Sequence, residues 1–84
     1  MTLTLDLHPI FRNNRDIELA VRSIIFEAAR TKAPVVEIIP GKGSGQLKKR
    51  VLACLRQKQL MKLGYRVESD PANDGRIYVY FRRP

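Results

Sequence analysis

The chain reads as an α/β protein. Its expected fold is a two-layer sandwich with two helices packed on one face of a four-stranded mixed sheet, in the order β-α-β-α-β-β. Three observations lead there. Polar and apolar residues alternate near both ends, at Leu3, Leu5 and Leu7 and again at Ile77, Val79 and Phe81. Two longer segments carry apolar residues at helical spacing. A β-branched run, Val35-Val36-Glu37-Ile38-Ile39, stands between them. Two helices and four strands bury their apolar faces most simply as two layers.

Each element follows from its residues. From Met1 to His8 the leucines alternate with Thr2, Thr4, Asp6 and His8. A period of two makes a half-buried strand with a polar outer face. Pro9 has no N–H to give a ladder, so the strand ends there or lies at an edge. Asn13 and Asn14 offer capping oxygens, and Asp16 and Glu18 suit the positive end of a helix. Ile17, Ala20, Val21, Ile24, Ile25, Ala28 and Ala29 then recur at i, i+3, i+4 and i+7, which predicts a helix over about 15–31. Pro34 closes the connection, and Val35 to Ile39 suits a central strand.

The next helix begins at Gln46, carries the apolar stripe Leu47, Val51, Cys54 and Leu55, and is expected to end near Lys58 to Met61. Lys49, Ala53 and Arg56 face away from that stripe, while Leu52 falls off it. Gly64 caps the helix or serves the turn that follows. Tyr65 to Glu68 is a third strand, and Asp70-Pro71-Ala72-Asn73-Asp74-Gly75 is rich in turn formers. Arg76 to Arg82 alternates again, with Tyr78 and Tyr80 opposite Ile77, Val79 and Phe81. Strand–helix–strand units favour parallel neighbours, and the last two strands should form an antiparallel hairpin.

With 84 residues the chain is expected to be one domain, residues 1–84, with a modest core. No apolar run approaches the roughly 18 residues of a membrane span. Nor does a basic stretch followed by an apolar one open the chain, so no signal peptide is expected. Cys54 is the single cysteine, so an internal disulfide and a cysteine-based zinc site are excluded. A cytoplasmic location is the expectation from these features.

Charge separates the two halves. Residues 1–41 hold five basic and five acidic side chains, whereas residues 42–84 hold eleven basic and three acidic, so the surplus of +8 begins at Lys42. Between Lys42 and Lys62 there are seven basic residues and no acid. A one-sided positive field favours polyanions, nucleic acid foremost.

The surplus starts inside a glycine loop, Gly41-Lys42-Gly43-Ser44-Gly45, set between the β-branched strand and the basic helix. Alternate glycines allow positive φ and close approach of another molecule. A helix N-terminus just beyond supplies amide donors and a partial positive charge, which together attract phosphate. The spacing is neither that of a Walker loop nor G-x-G-x-x-G, so no nucleotide cofactor is expected. Asp6 and His8 lie two apart on the polar face of the first strand, roughly 7 Å from one another. A carboxylate and an imidazole there can move a proton or hold a divalent ion such as magnesium or manganese. Ligand crevices of open α/β sheets lie beyond the carboxyl ends of parallel strands. If the first two strands are parallel neighbours, Asp6, His8 and Lys42 meet on one rim.

Leu5-Asp6-Leu7-His8, followed by a helix and then by Ile38-Ile39-Pro40-Gly41-Lys42-Gly43-Ser44-Gly45-Gln46-Leu47, resembles the small MutS-related (Smr) domain. The signatures of that family are Leu-Asp-x-His near the start and His-Gly-x-Gly between the second strand and the second helix. The resemblance implies the two-layer sandwich already read from the pattern. It also implies binding of DNA or RNA, with endonuclease activity in several members. It gives Asp6 and His8 the part of cleavage residues, and Gly41, Lys42, Gly43 and Gly45 that of the nucleic-acid loop. Two positions depart from the pattern. Pro9 stands where glycine usually follows the first signature, and Pro40 stands where histidine opens the second.

Three functions follow as expectations. The first is an endonuclease acting on RNA or DNA phosphodiesters through Asp6 and His8. The second is a binding module without cleavage, in which Ser44, Lys48, Lys49, Arg50 and Arg56 join the loop on phosphates and Tyr78 and Tyr80 stack unpaired bases. The third is an interaction domain whose basic surface meets the ribosome, DNA-repair machinery or another acidic partner.

Overall fold

The computed structural model describes residues 2–7, 14–40, 45–70 and 76–81. Four strands, β1 (Thr2–Asp6), β2 (Val35–Ile39), β3 (Tyr65–Ser69) and β4 (Ile77–Phe81), form one sheet in the order β1-β2-β4-β3. Among the described residues the helices α1 (Asn14–Thr31), α2 (Gln46–Leu55) and α3 (Lys58–Met61) lie between them. β1 and β2 are parallel, while β4 runs antiparallel to both β2 and β3. The expected mixed sheet and terminal hairpin are therefore present. The hairpin is closed by the Asp70 N–H donating to the Arg76 carbonyl at 3.3 Å. Among the described residues no helix is long and apolar enough to cross a membrane.

Strand chemistry matches strand position. β1 lies at an edge, and its exposed Thr2, Thr4 and Asp6 alternate with partly buried Leu3 and Leu5. β2 is interior, with Val36 and Ile38 fully buried on the face that meets Ile77 and Val79 of β4. Ile17, Val21, Ile25 and Ala28 of α1 complete the core from the helical layer, with Ala20 and Ile24 packed beside them. Asp16 in the first turn of α1 and Arg30 in its last complement the helix dipole.

The segment expected to be one helix from Gln46 to Lys58–Met61 is divided. α2 stops at Leu55, Arg56 caps it, and Gln57 is extended with φ −62° and ψ 138° before α3 begins. The reason is packing. Leu55 and Leu60 are both fully buried, yet five residues on an unbroken helix would turn them about 140° apart. The break swings Leu60 back to the core. Gln57 is held against α1, its amide group donating to Glu18 and accepting from Arg22. Gly64, at φ 78°, then takes the left-handed turn into β3.

The break also exposes the Leu55 carbonyl, which accepts a hydrogen bond from the buried Tyr65 hydroxyl. Burial, reinforced by Cys54, pushes the Tyr65 phenol up to about 12. Folding thus favours the protonated phenol. Its contribution is complete below the unfolded value of about 10 and is lost as pH rises toward 12. At neutral pH Tyr65→Phe should cost about 1 kcal/mol for the lost hydrogen bond. In urea unfolding that difference should shrink as pH is raised from below 10 to near 12.

Candidate nucleic-acid interface

The parallel pairing of β1 with β2 places Asp6 directly opposite Ile39, at the carboxyl ends of both strands. The Leu7 N–H donates to the Ile39 carbonyl at 3.0 Å and carries the pairing one step further. Leu7 is fully buried, so alternation turns Asp6 to the opposite, open face, where it is exposed. The rim foreseen from topology therefore holds Asp6 and the end of β2. His8, Pro9 and Gly41 to Ser44, Lys42 among them, lie outside the described residues. Pro40, the residue next after β2, is buried.

α2 starts from Gly45, whose φ of 87° is left-handed, as expected of a glycine at the close of this loop. The Lys49 N–H reaches back to the Gly45 carbonyl at 3.0 Å. The amides before it, of Gln46, Leu47 and Lys48, precede the helical ladder. Gly45 has no side chain with which to cap this end, and the first turn of α2 has no acid. The end of α2 that follows the rim thus has the donors and the field that suit an anion.

The predicted cations divide along the helix. Lys48 to Arg50 lie in the first turn and a half, with Lys49 and Arg50 exposed and Lys48 partly buried. Arg56 is exposed as well, but it caps the far end of α2, about 16 Å along the axis from Gly45. Arg50 also lines a shallow groove between α1 and α2 with Ile17, Glu18, Ala53, Cys54 and Gln57. The Cys54 thiol is buried, and burial followed by Glu18 raises its pKa, which keeps it protonated and unreactive at neutral pH.

One polar network escaped sequence reasoning. Glu37, on the open face of β2, accepts hydrogen bonds from Thr4 Oγ1 at 3.3 Å and the Tyr78 hydroxyl at 3.4 Å, and pairs with the Arg76 guanidinium at 3.1 Å. It is a structural hub joining β1, β2 and the start of β4. Its signal was the lone acid inside a β-branched run, but its partners depend on register across three strands. Asp70 is placed at the hairpin, as a turn former should be, and Asp74 lies outside the described residues. Among the described residues no group of three or more His, Cys, Asp or Glu side chains is gathered to hold a metal ion.

A family model described as the Smr domain matches residues 5–82. No curated protein matches the chain. Among solved structures, the crystal structure of the Smr domain of Thermus thermophilus MutS2 is similar, with 21% sequence identity and a TM-score of 0.80. The match covers 96% of this chain and 99% of that one. At that identity the likeness is one of fold.

Proposed function

Because the chain belongs to the Smr domain family, we propose that it binds nucleic acid at the rim formed by the β1 and β2 ends and the start of α2. The observation that carries this reading is the N-terminus of α2, which opens on the left-handed Gly45, is free of acid in its first turn and holds Lys48, Lys49 and Arg50. Phosphate oxygens accept from the first amides of α2, and the cations fix the backbone nearby. Lys42 adds a further positive charge to the chain just before this helix.

The finer part of the proposal is cleavage of the phosphodiester held there. Asp6 is exposed at the rim, and His8 is the only histidine of the chain. A water oxygen, or in RNA the adjacent 2′-hydroxyl, attacks phosphorus as His8 takes its proton; the P–O bond breaks with its electron pair going to the leaving oxygen, which then takes a proton from solvent. Lys42 and the α2 amides stabilise the charge that grows on the phosphoryl oxygens. Binding without cleavage is the second reading. It is favoured by Pro40, which is buried and brings no ionisable group to the head of the loop.

Labelled RNA and branched DNA, incubated with the protein with and without magnesium or manganese, test both parts. The proposal expects retention of at least one nucleic acid together with shortened products. Retention without products leaves the binding module. No retention at all would favour an acidic protein partner.

A further inference from the structure

The side of the sheet away from the helices carries a second kind of surface. It bears Thr2, Thr4, Asp6, Val35, Glu37, Ile39, Arg66, Glu68, Tyr78 and Tyr80, all exposed or partly buried. Tyr78 and Tyr80 stand at the middle of this face on β4, an interior strand. Their ring centroids are 6.2 Å apart at an interplanar angle of 32°. The Arg66 guanidinium sits 4.8 Å from the Tyr80 ring centroid and is held there by Glu68 at 2.6 Å. The Tyr78 hydroxyl is tied to Glu37, which Arg76 neutralises. Both rings are thus fixed by partners on neighbouring strands, which lowers the entropy lost when a ligand orders them.

We propose that this face is a stacking platform for two successive unpaired bases of a single-stranded nucleic acid, one on Tyr78 and one on the Tyr80–Arg66 pair. The proposal rests on the nucleic-acid reading above and names the form of nucleic acid that the domain prefers. Residues i and i+2 of a strand lie about 6.8 Å apart, roughly twice the 3.4 Å step between stacked bases of a duplex strand. Bases seated on these two residues are therefore unstacked from each other, which an intact duplex does not offer. Aromatic rings and arginine planes on an open sheet receive such splayed bases, and a π-face makes the contact tolerant of sequence.

Charge separates this surface from α2. Arg66 and Arg76 are matched by Glu68 and Glu37, and Asp6 adds an acid, so the described side chains of the face bring no positive surplus. Its contribution is stacking rather than phosphate neutralisation. Arg76 precedes Ile77, which pairs with Ile38 near the carboxyl end of β2. A strand leaving the phosphate seat at the rim therefore meets Tyr78 before Tyr80.

The test compares a short single-stranded oligonucleotide, the same strand with abasic sites, and its duplex by fluorescence anisotropy over a range of salt. Base–aromatic stacking is worth about 1–3 kcal/mol per base, so Tyr78→Ala with Tyr80→Ala should weaken single-strand binding by roughly tenfold or more. Duplex affinity and the salt slope should stay unchanged. Tyr78→Phe with Tyr80→Phe should keep single-strand affinity, since rings and not hydroxyls stack. The wild-type protein should bind the abasic strand as weakly as the alanine variant binds the normal one. Single-strand affinity within twofold of wild type in the alanine variant would overturn the platform, as would abasic binding as tight as normal. Loss of the duplex together with the single strand would overturn it too. A wild-type protein that binds neither form would bring down the nucleic-acid reading itself.

Discussion

Asp6→Ala combined with His8→Ala should remove cleavage while leaving binding in place. A positioned general acid or base contributes on the order of 10²- to 10⁴-fold in rate, so single-turnover cutting of end-labelled RNA or branched DNA should fall by at least that range. Binding should hold or rise slightly, because Asp6→Ala removes a negative charge from the rim. Asp6 is exposed at the end of an edge strand, so its replacement spares the core. Unchanged cutting by the double variant would place the chemistry elsewhere.

The second large effect is on affinity. Lys48→Gln, Lys49→Gln and Arg50→Gln together remove three positive charges from the first turn and a half of α2. Each phosphate contact contributes about 0.7 to 0.9 to the slope of log K against log salt. The triple variant should therefore lose about 2 to 3 units of slope and bind more than tenfold more weakly at low salt. Glutamine keeps helix propensity close to that of lysine and arginine, so thermal unfolding should move little. An unchanged slope would remove these side chains from the phosphate seat. An equal fall in slope in Tyr78→Ala with Tyr80→Ala would contradict the division of labour between α2 and the sheet face.

The fold was legible in this sequence because most of its signals are local. Alternation marked β1 and β4, and β-branching marked β2. The stripe from Ile17 to Ala28 marked α1, and the parallel pairing of β1 with β2 followed from the helix between them. The second helix was less legible. Its apolar arc is wide: Val51, Cys54 and Leu55 are buried, α2 packs along α1, and Leu52, off the stripe, still packs against the core. That width hid the break at Gln57, where the competing demands of Leu55 and Leu60 decide the geometry rather than any glycine or proline. At the site, Asp6 and Gly45 stand as their local pattern required. Glu37, Arg66 and Arg76 were not legible as a set, because they belong to β2, β3 and the start of β4, and only pairing brings them together.

The most direct test of the account is where on the molecule a nucleic acid lands. Backbone amide chemical shifts of the labelled protein, followed while a short oligonucleotide duplex is added, report this residue by residue. A duplex offers phosphates without splayed bases, so it isolates the rim. The largest shifts should fall at Gly45 to Arg50 and around Asp6. Shifts confined to the exposed side of α1, around Leu19 and Phe26, with Gly45 to Arg50 unmoved, would contradict it.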